Sequence, residues 1–135
     1  MAKLKPIFIT THKRHKGDCA VAALATLLRV PYEEMLVAAA KVQPLVLVRG
    51  LHNDEIIEVA AAFGRVLVEE SGTELDLKAT GILGGKLASN TGEDEHAVVV
   101  SGGILFDPDD GEVWRVKDYI KHYGMTEVDM LELED

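Results

Sequence analysis

The sequence predicts an α+β domain in which helices come first and a mostly antiparallel sheet follows. Up to Gly64 the apolar residues recur at helical spacing, and beyond it they fall in short β-branched segments bounded by Gly, Asp or Pro. The chain has 135 residues, close to the commonest domain size, so 1–135 is expected to form a single domain around one core. Apolar residues make up 47% but aromatics only 5%, which implies a core packed by Ala, Val, Leu and Ile.

The first helix is expected from Cys19 to Arg29. Its run from Ala20 to Leu28 is apolar nearly all round, the pattern of a helix buried on every side. Gly17 and Asp18 before it supply a turn and a cap. Pro31 opens a second helix to Lys41, with Glu33 and Glu34 in the favoured acidic first turn. A third, from Asn53 to Phe63, carries Ile56, Ile57, Ala60 and Phe63 at helical spacing and stops at Gly64. Strands are then expected over Arg65–Glu69, Gly81–Leu87, His96–Ser101 and Ile104–Phe106. Val116–Tyr123 reads as a short helix, Glu127–Leu133 alternates like a last strand, and Glu132–Asp135 reads as an acidic tail. Loops are expected at Ser71-Gly72-Thr73 and at Ala88–Glu95.

A net charge of −9 argues against nucleic acid or an anionic membrane as partner, since phosphate binding needs a positive footprint. The one basic cluster, Lys13-Arg14-His15-Lys16, is short and reads as a solvated loop. A single cysteine excludes an internal disulfide and fits a reducing compartment. No apolar run reaches the length of a signal sequence or a membrane span, so a cytoplasmic location is expected.

Three residues carry the chemical expectation. Cys19 opens a buried helix, where the dipole and unpaired N–H groups favour a thiolate, although a lone Cys also serves as a small core hydrophobe. His96 begins the apolar strand Ala97-Val98-Val99-Val100, where it is either a base or merely a polar strand end. Gly102-Gly103 reads as a two-residue hairpin turn, which sets Ser101 opposite Ile104 and Val98 opposite Asp107. His96 lies two residues from Val98, so it shares a face with Asp107 as a diagonal neighbour. A one-residue slip would put the two on opposite faces. With a nucleophile, a base and an orienting carboxylate in the order Cys–His–Asp, the three match the requirements of a thiol triad, which needs neither metal nor cofactor.

The segment Gly17-Asp18-Cys19-Ala20-Val21-Ala22-Ala23-Leu24 resembles the nucleophile motif of the papain-like cysteine peptidases that cut double-glycine leader peptides from bacteriocins, and of their free-standing relatives. His96-Ala97-Val98-Val99-Val100 with Phe106-Asp107-Pro108 resembles the second motif of that family. The middle helices are similar too, so the likeness spans about residues 10–110. The resemblance implies a papain-like fold and cleavage of a peptide or peptide-like amide, with a peptide or protein as substrate. In it Cys19 is the nucleophile, His96 the general base and Asp107 its orienter. The strand with Gly84 and Gly85 lines the substrate cleft, where small residues let an extended peptide approach. The family also carries a Gln a few residues before the Cys, an oxyanion donor. Lys13 stands there instead, and the only Gln is Gln43. Donation would then fall to Lys13, to His12, or to the helix-start N–H groups around Asp18 and Cys19. Losing one such donor costs about 10²–10³ in rate.

That departure keeps a second reading open: a papain-like domain that binds peptide or protein without turnover. A third is a zinc site using His12, His15 and Cys19 with His52 or His96, whose spacing matches none of the usual structural patterns.

Overall fold

The computed structural model describes residues 18–70, 75–88 and 96–134. Four helices come first: α1 (Asp18–Leu28), α2 (Tyr32–Val42), α3 (Val46–Arg49) and α4 (Asn53–Ala62). Strands β1 (Val66–Glu70), β2 (Gly81–Lys86), β3 (His96–Ser101), β4 (Ile104–Asp107) and β5 (Glu112–Arg115) follow, then α5 (Val116–Tyr123) and β6 (Thr126–Glu134). The strands join in one sheet of order β1-β6-β2-β3-β4-β5, and every neighbouring pair is antiparallel.

Every residue of α1 except Cys19 is buried, as an apolar surface on all sides requires. Its one interior hydroxyl, Thr26, donates back to the Ala22 carbonyl at 2.8 Å and so costs little. The helix stops where Arg29 turns to a left-handed φ of 56° and Val30 N–H reaches back to Ala25 O at 3.0 Å; Pro31 then caps α2.

The sheet is covered on both faces. On one, α1, α2 and α4 close over Leu67, Ile82, Ala97, Val99 and Leu131. On the other, Tyr119 and Val116 of α5 pack with Leu83, Val98, Val100, Leu105, Met125 and Met130. The alternation of strand side chains sorts these sets, so β2 and β3 are apolar on both sides, and β6 contributes Met130 to one face and Leu131 to the other. Burying about 25 cal/mol per Å2 of apolar surface on two faces is the main force holding α1 against β3.

At the β3–β4 turn Gly102 and Gly103 both have positive φ, 61° and 84°, the primed turn whose twist suits a hairpin. Ser101 pairs with Ile104, Val100 with Leu105 and Val99 with Phe106. This is the register expected from the two glycines.

Several expectations need correction. The acidic end is not a tail as far as Glu134: Glu132, Leu133 and Glu134 pair with Val68, Leu67 and Val66. Two elements were not anticipated, α3 and β5. Each is four residues long, too short for a periodic signal, and β5 is an edge strand mostly open to solvent. The expected loops at Ser71-Gly72-Thr73 and beyond Ala88 lie outside the described residues.

Candidate active site

The site is assembled where the start of α1 meets the start of β3. Cys19 is the second residue of α1, half-buried and not in a disulfide, and it packs against the helix-side core. His96 is the first residue of β3 and is 8% exposed. It projects to the α5 side with Val98 and Val100, and Cys19 lies near enough to influence the charge of its ring.

Asp107 ends β4 and is 2% exposed. Its Oδ1 accepts from His96 Nε2–H at 2.8 Å and from the backbone N–H of Asp109 at 2.8 Å. Its Oδ2 accepts from the hydroxyl of Tyr119 on α5 at 2.7 Å. With Nε2 committed to Asp107, Nδ1 is the ring nitrogen left to face the thiol.

The charges follow from these bonds. Burial opposes a charge on His96, but the hydrogen bonds to Asp107 and Cys19, and the charges of those same groups, override it and push its pKa up to about 10. Burial likewise works against the Asp107 carboxylate, yet His96, Tyr119 and the Asp109 N–H together hold it below the usual range. Burial and the Asp107 carboxylate push the Tyr119 hydroxyl far up, so it stays a donor. The arrangement can hold an imidazolium between a thiolate and a carboxylate. It can also pass the Nδ1 proton to a group bound at the sulfur.

A second layer surrounds the β4–β5 turn. Asp110 Oδ2 accepts from Trp114 Nε1–H at 3.0 Å and from the Tyr123 hydroxyl at 3.0 Å. Trp114 packs edge-on to Tyr119 and Tyr123, with ring centroids 5.8 and 5.7 Å apart.

Of the residues singled out in the sequence, Cys19, His96 and Asp107 come together. Asp18 begins α1 rather than preceding it, and its buried carboxylate accepts from the Tyr32 hydroxyl at 3.3 Å. Burial, then Asp18, pushes Tyr32 up to about 12. Gly84 and Gly85 lie on β2, paired with Ala97 and His96. A Cβ at Gly84 would meet Asp129 Oδ1 at 2.9 Å, and one at Gly85 would meet Thr126 O at 2.9 Å, so both glycines make room for β6 and the residue before it, Met125. Lys13, His12 and His15 lie outside the described residues. Among the described residues no three His, Cys, Asp or Glu side chains cluster as metal ligands. His52 begins the turn into α4, where its N–H donates to Glu55 at 2.9 Å.

Sequence reasoning missed Tyr119 and Asp110. The available signal was the apolar stripe Val116, Tyr119, Ile120, Tyr123 on an otherwise charged helix, which aims two phenols at whatever α5 covers. The chain matches no protein-family model and no curated protein.

Proposed function

We propose that this protein is a thiol hydrolase of papain-like design that cleaves a peptide or peptide-like amide. The observation that carries the reading is the buried His96 Nε2–Asp107 Oδ1 hydrogen bond at 2.8 Å, on a ring whose charge is coupled to Cys19 at the start of α1. The Cys19 sulfur attacks the amide carbonyl while its proton resides on His96. Charge develops on the carbonyl oxygen, and backbone N–H groups in the first turn of α1 receive it. The C–N bond breaks as His96 returns the proton to the leaving amine, which leaves a thioester on Cys19. Water then attacks, His96 takes its proton, and the C–S bond breaks to release a carboxylic acid and the thiol. Asp107 holds the ring with Nε2–H outward and compensates its charge.

The papain-like comparison is supported by the order of elements, with the nucleophile on a buried helix ahead of an antiparallel sheet that carries the base and its orienter. Fold analogy alone does not choose among hydrolysis, deamidation and acyl transfer.

The test is the rate of Cys19 alkylation by iodoacetamide from pH 5 to 10, in the native protein and in His96→Ala. A free thiol titrates near 8.5. Rapid alkylation at pH 6, lost in His96→Ala, is the expected result. A slow thiol that ignores His96 would make Cys19 a core residue and overturn the proposal.

A further inference from the structure

We infer that the Tyr119 hydroxyl is a positioning group, which fixes the plane of the Asp107 carboxylate and keeps it ionised so that Oδ1 stays aimed at His96. The inference takes its catalytic meaning from the proposed hydrolase, but its geometry stands on hydrogen bonds alone. Asp107 receives donors from three elements: His96 on β3, the Asp109 N–H in the turn, and Tyr119 on α5. The first two both go to Oδ1. Among the hydrogen bonds of the described residues, Tyr119 is the one that holds Oδ2. A carboxylate gripped at one oxygen can turn about its Cβ–Cγ bond, and one gripped at both cannot.

Tyr119 is fully buried, and a buried phenol needs some partner. What distinguishes its choice is Tyr123, one turn further along α5, whose hydroxyl goes to Asp110 instead. One helix therefore delivers two phenols to two carboxylates three residues apart. Tyr119 takes the one bonded to His96, and Tyr123 the one that only secures the turn.

The electrostatic need is plain. Facing Asp107 are His96 on β3 with Cys19 beyond it, Tyr119 and Tyr123 on α5, Asp109 and Asp110 in the turn, and Glu112 opposite it on β5. Burial of Asp107 favours its protonated form. A protonated Asp107 would have no net charge with which to support an imidazolium. Tyr119 works against that, and its hydrogen bond is one of the influences that lower the Asp107 pKa.

The experiment is a pH titration of the His96 ring by 15N NMR, with alkylation of Cys19 at pH 6 measured on the same samples. It uses the native chain, Tyr119→Phe and Tyr123→Phe. In Tyr119→Phe the low-pH transition of the His96 Nε2–H signal, which reports Asp107 protonation, is expected to move up by about one pH unit, and alkylation to slow several-fold. Tyr123→Phe removes a phenol bond from the same helix and is expected to leave both unchanged. If Tyr119→Phe matches the native protein, or if Tyr123→Phe moves both readouts equally, the inference fails. Should Tyr119→Phe not fold, site-specific 3-fluorotyrosine at 119, a stronger donor, must move the transition to lower pH; no movement overturns the inference. A transition that responds to Tyr119 beside a Cys19 that ignores His96 would refute the hydrolase and leave this inference standing. Alkylation that depends on His96 but not on Tyr119 would do the reverse.

Discussion

Asp107→Asn removes one charge from the candidate site with almost no change in shape. Asparagine can still accept from His96 Nε2–H and the Asp109 N–H, while its amide N–H meets the Tyr119 oxygen, which must turn from donor to acceptor. The hydrogen bonds survive in number, but the ion pair does not. With Nε2 and Oδ1 at 2.8 Å, the pair is in direct contact. Its charge centres, about 4 Å apart, interact by about 4 kcal/mol at an effective dielectric of 20. At 1.36 kcal/mol per unit that is a ceiling of about three pKa units on His96. Polar relaxation around an amide recovers part of it, so a fall of about one to two units is the working figure. The assay is a 15N NMR titration of the His96 ring toward high pH, in the native protein and in Asp107→Asn. The native ring should lose its proton near pH 10, and that of Asp107→Asn about one to two pH units lower, while both are protonated at pH 6. Coincident titrations would refute the coupling. A native His96 ring already neutral at pH 6 would refute it as well.

Other consequences are open to simpler measurements. Because the folded-state pKa of His96 is raised to about 10, the stabilisation from its protonated form is fully present below the ordinary 6.5 and is lost as pH rises through 10. Because that of Asp107 is lowered, its share is present above the ordinary 3.8 and is lost as pH falls through the folded-state value. His96→Gln should therefore cost most between about pH 4 and 6.5, roughly 3 kcal/mol by urea unfolding, with the deficit shrinking toward pH 10. Gly81→Ala drives a Cβ into the Leu131 backbone carbonyl of β6, so a loss above about 3 kcal/mol, or failure to fold, is expected in thermal denaturation. Gly103→Ala meets nothing within 4 Å but must hold a φ of +84°, and should cost only about 1–2 kcal/mol in the same assay.

How far the sequence reaches depends on the range of the interaction. The His96–Asp107 juxtaposition was legible because a Gly-Gly turn sets register, and register sets facing through a period of two. The burial of α1 was legible because Ala, Val and Leu leave no polar face. Tyr119 was not: its bond to Asp107 depends on how α5 returns across the sheet, a tertiary fact with no local spacing. The same holds for Gly84 and Gly85, whose missing side chains accommodate Asp129 and Thr126 of a strand more than 40 residues away. Glu132 and Glu134 misled because alternating acids at a chain end look like a tail until β1 supplies a partner.

The central claim is tested most directly by looking for covalent turnover at Cys19. The native protein and Cys19→Ala would be incubated with a diverse peptide library and with a peptidyl thioester, and products and intact protein masses followed together. The account predicts cleaved peptides and a transient acyl mass on the native chain, both absent from Cys19→Ala and greatly reduced in His96→Ala. A native chain that neither acquires an acyl mass nor yields more product than Cys19→Ala would contradict it.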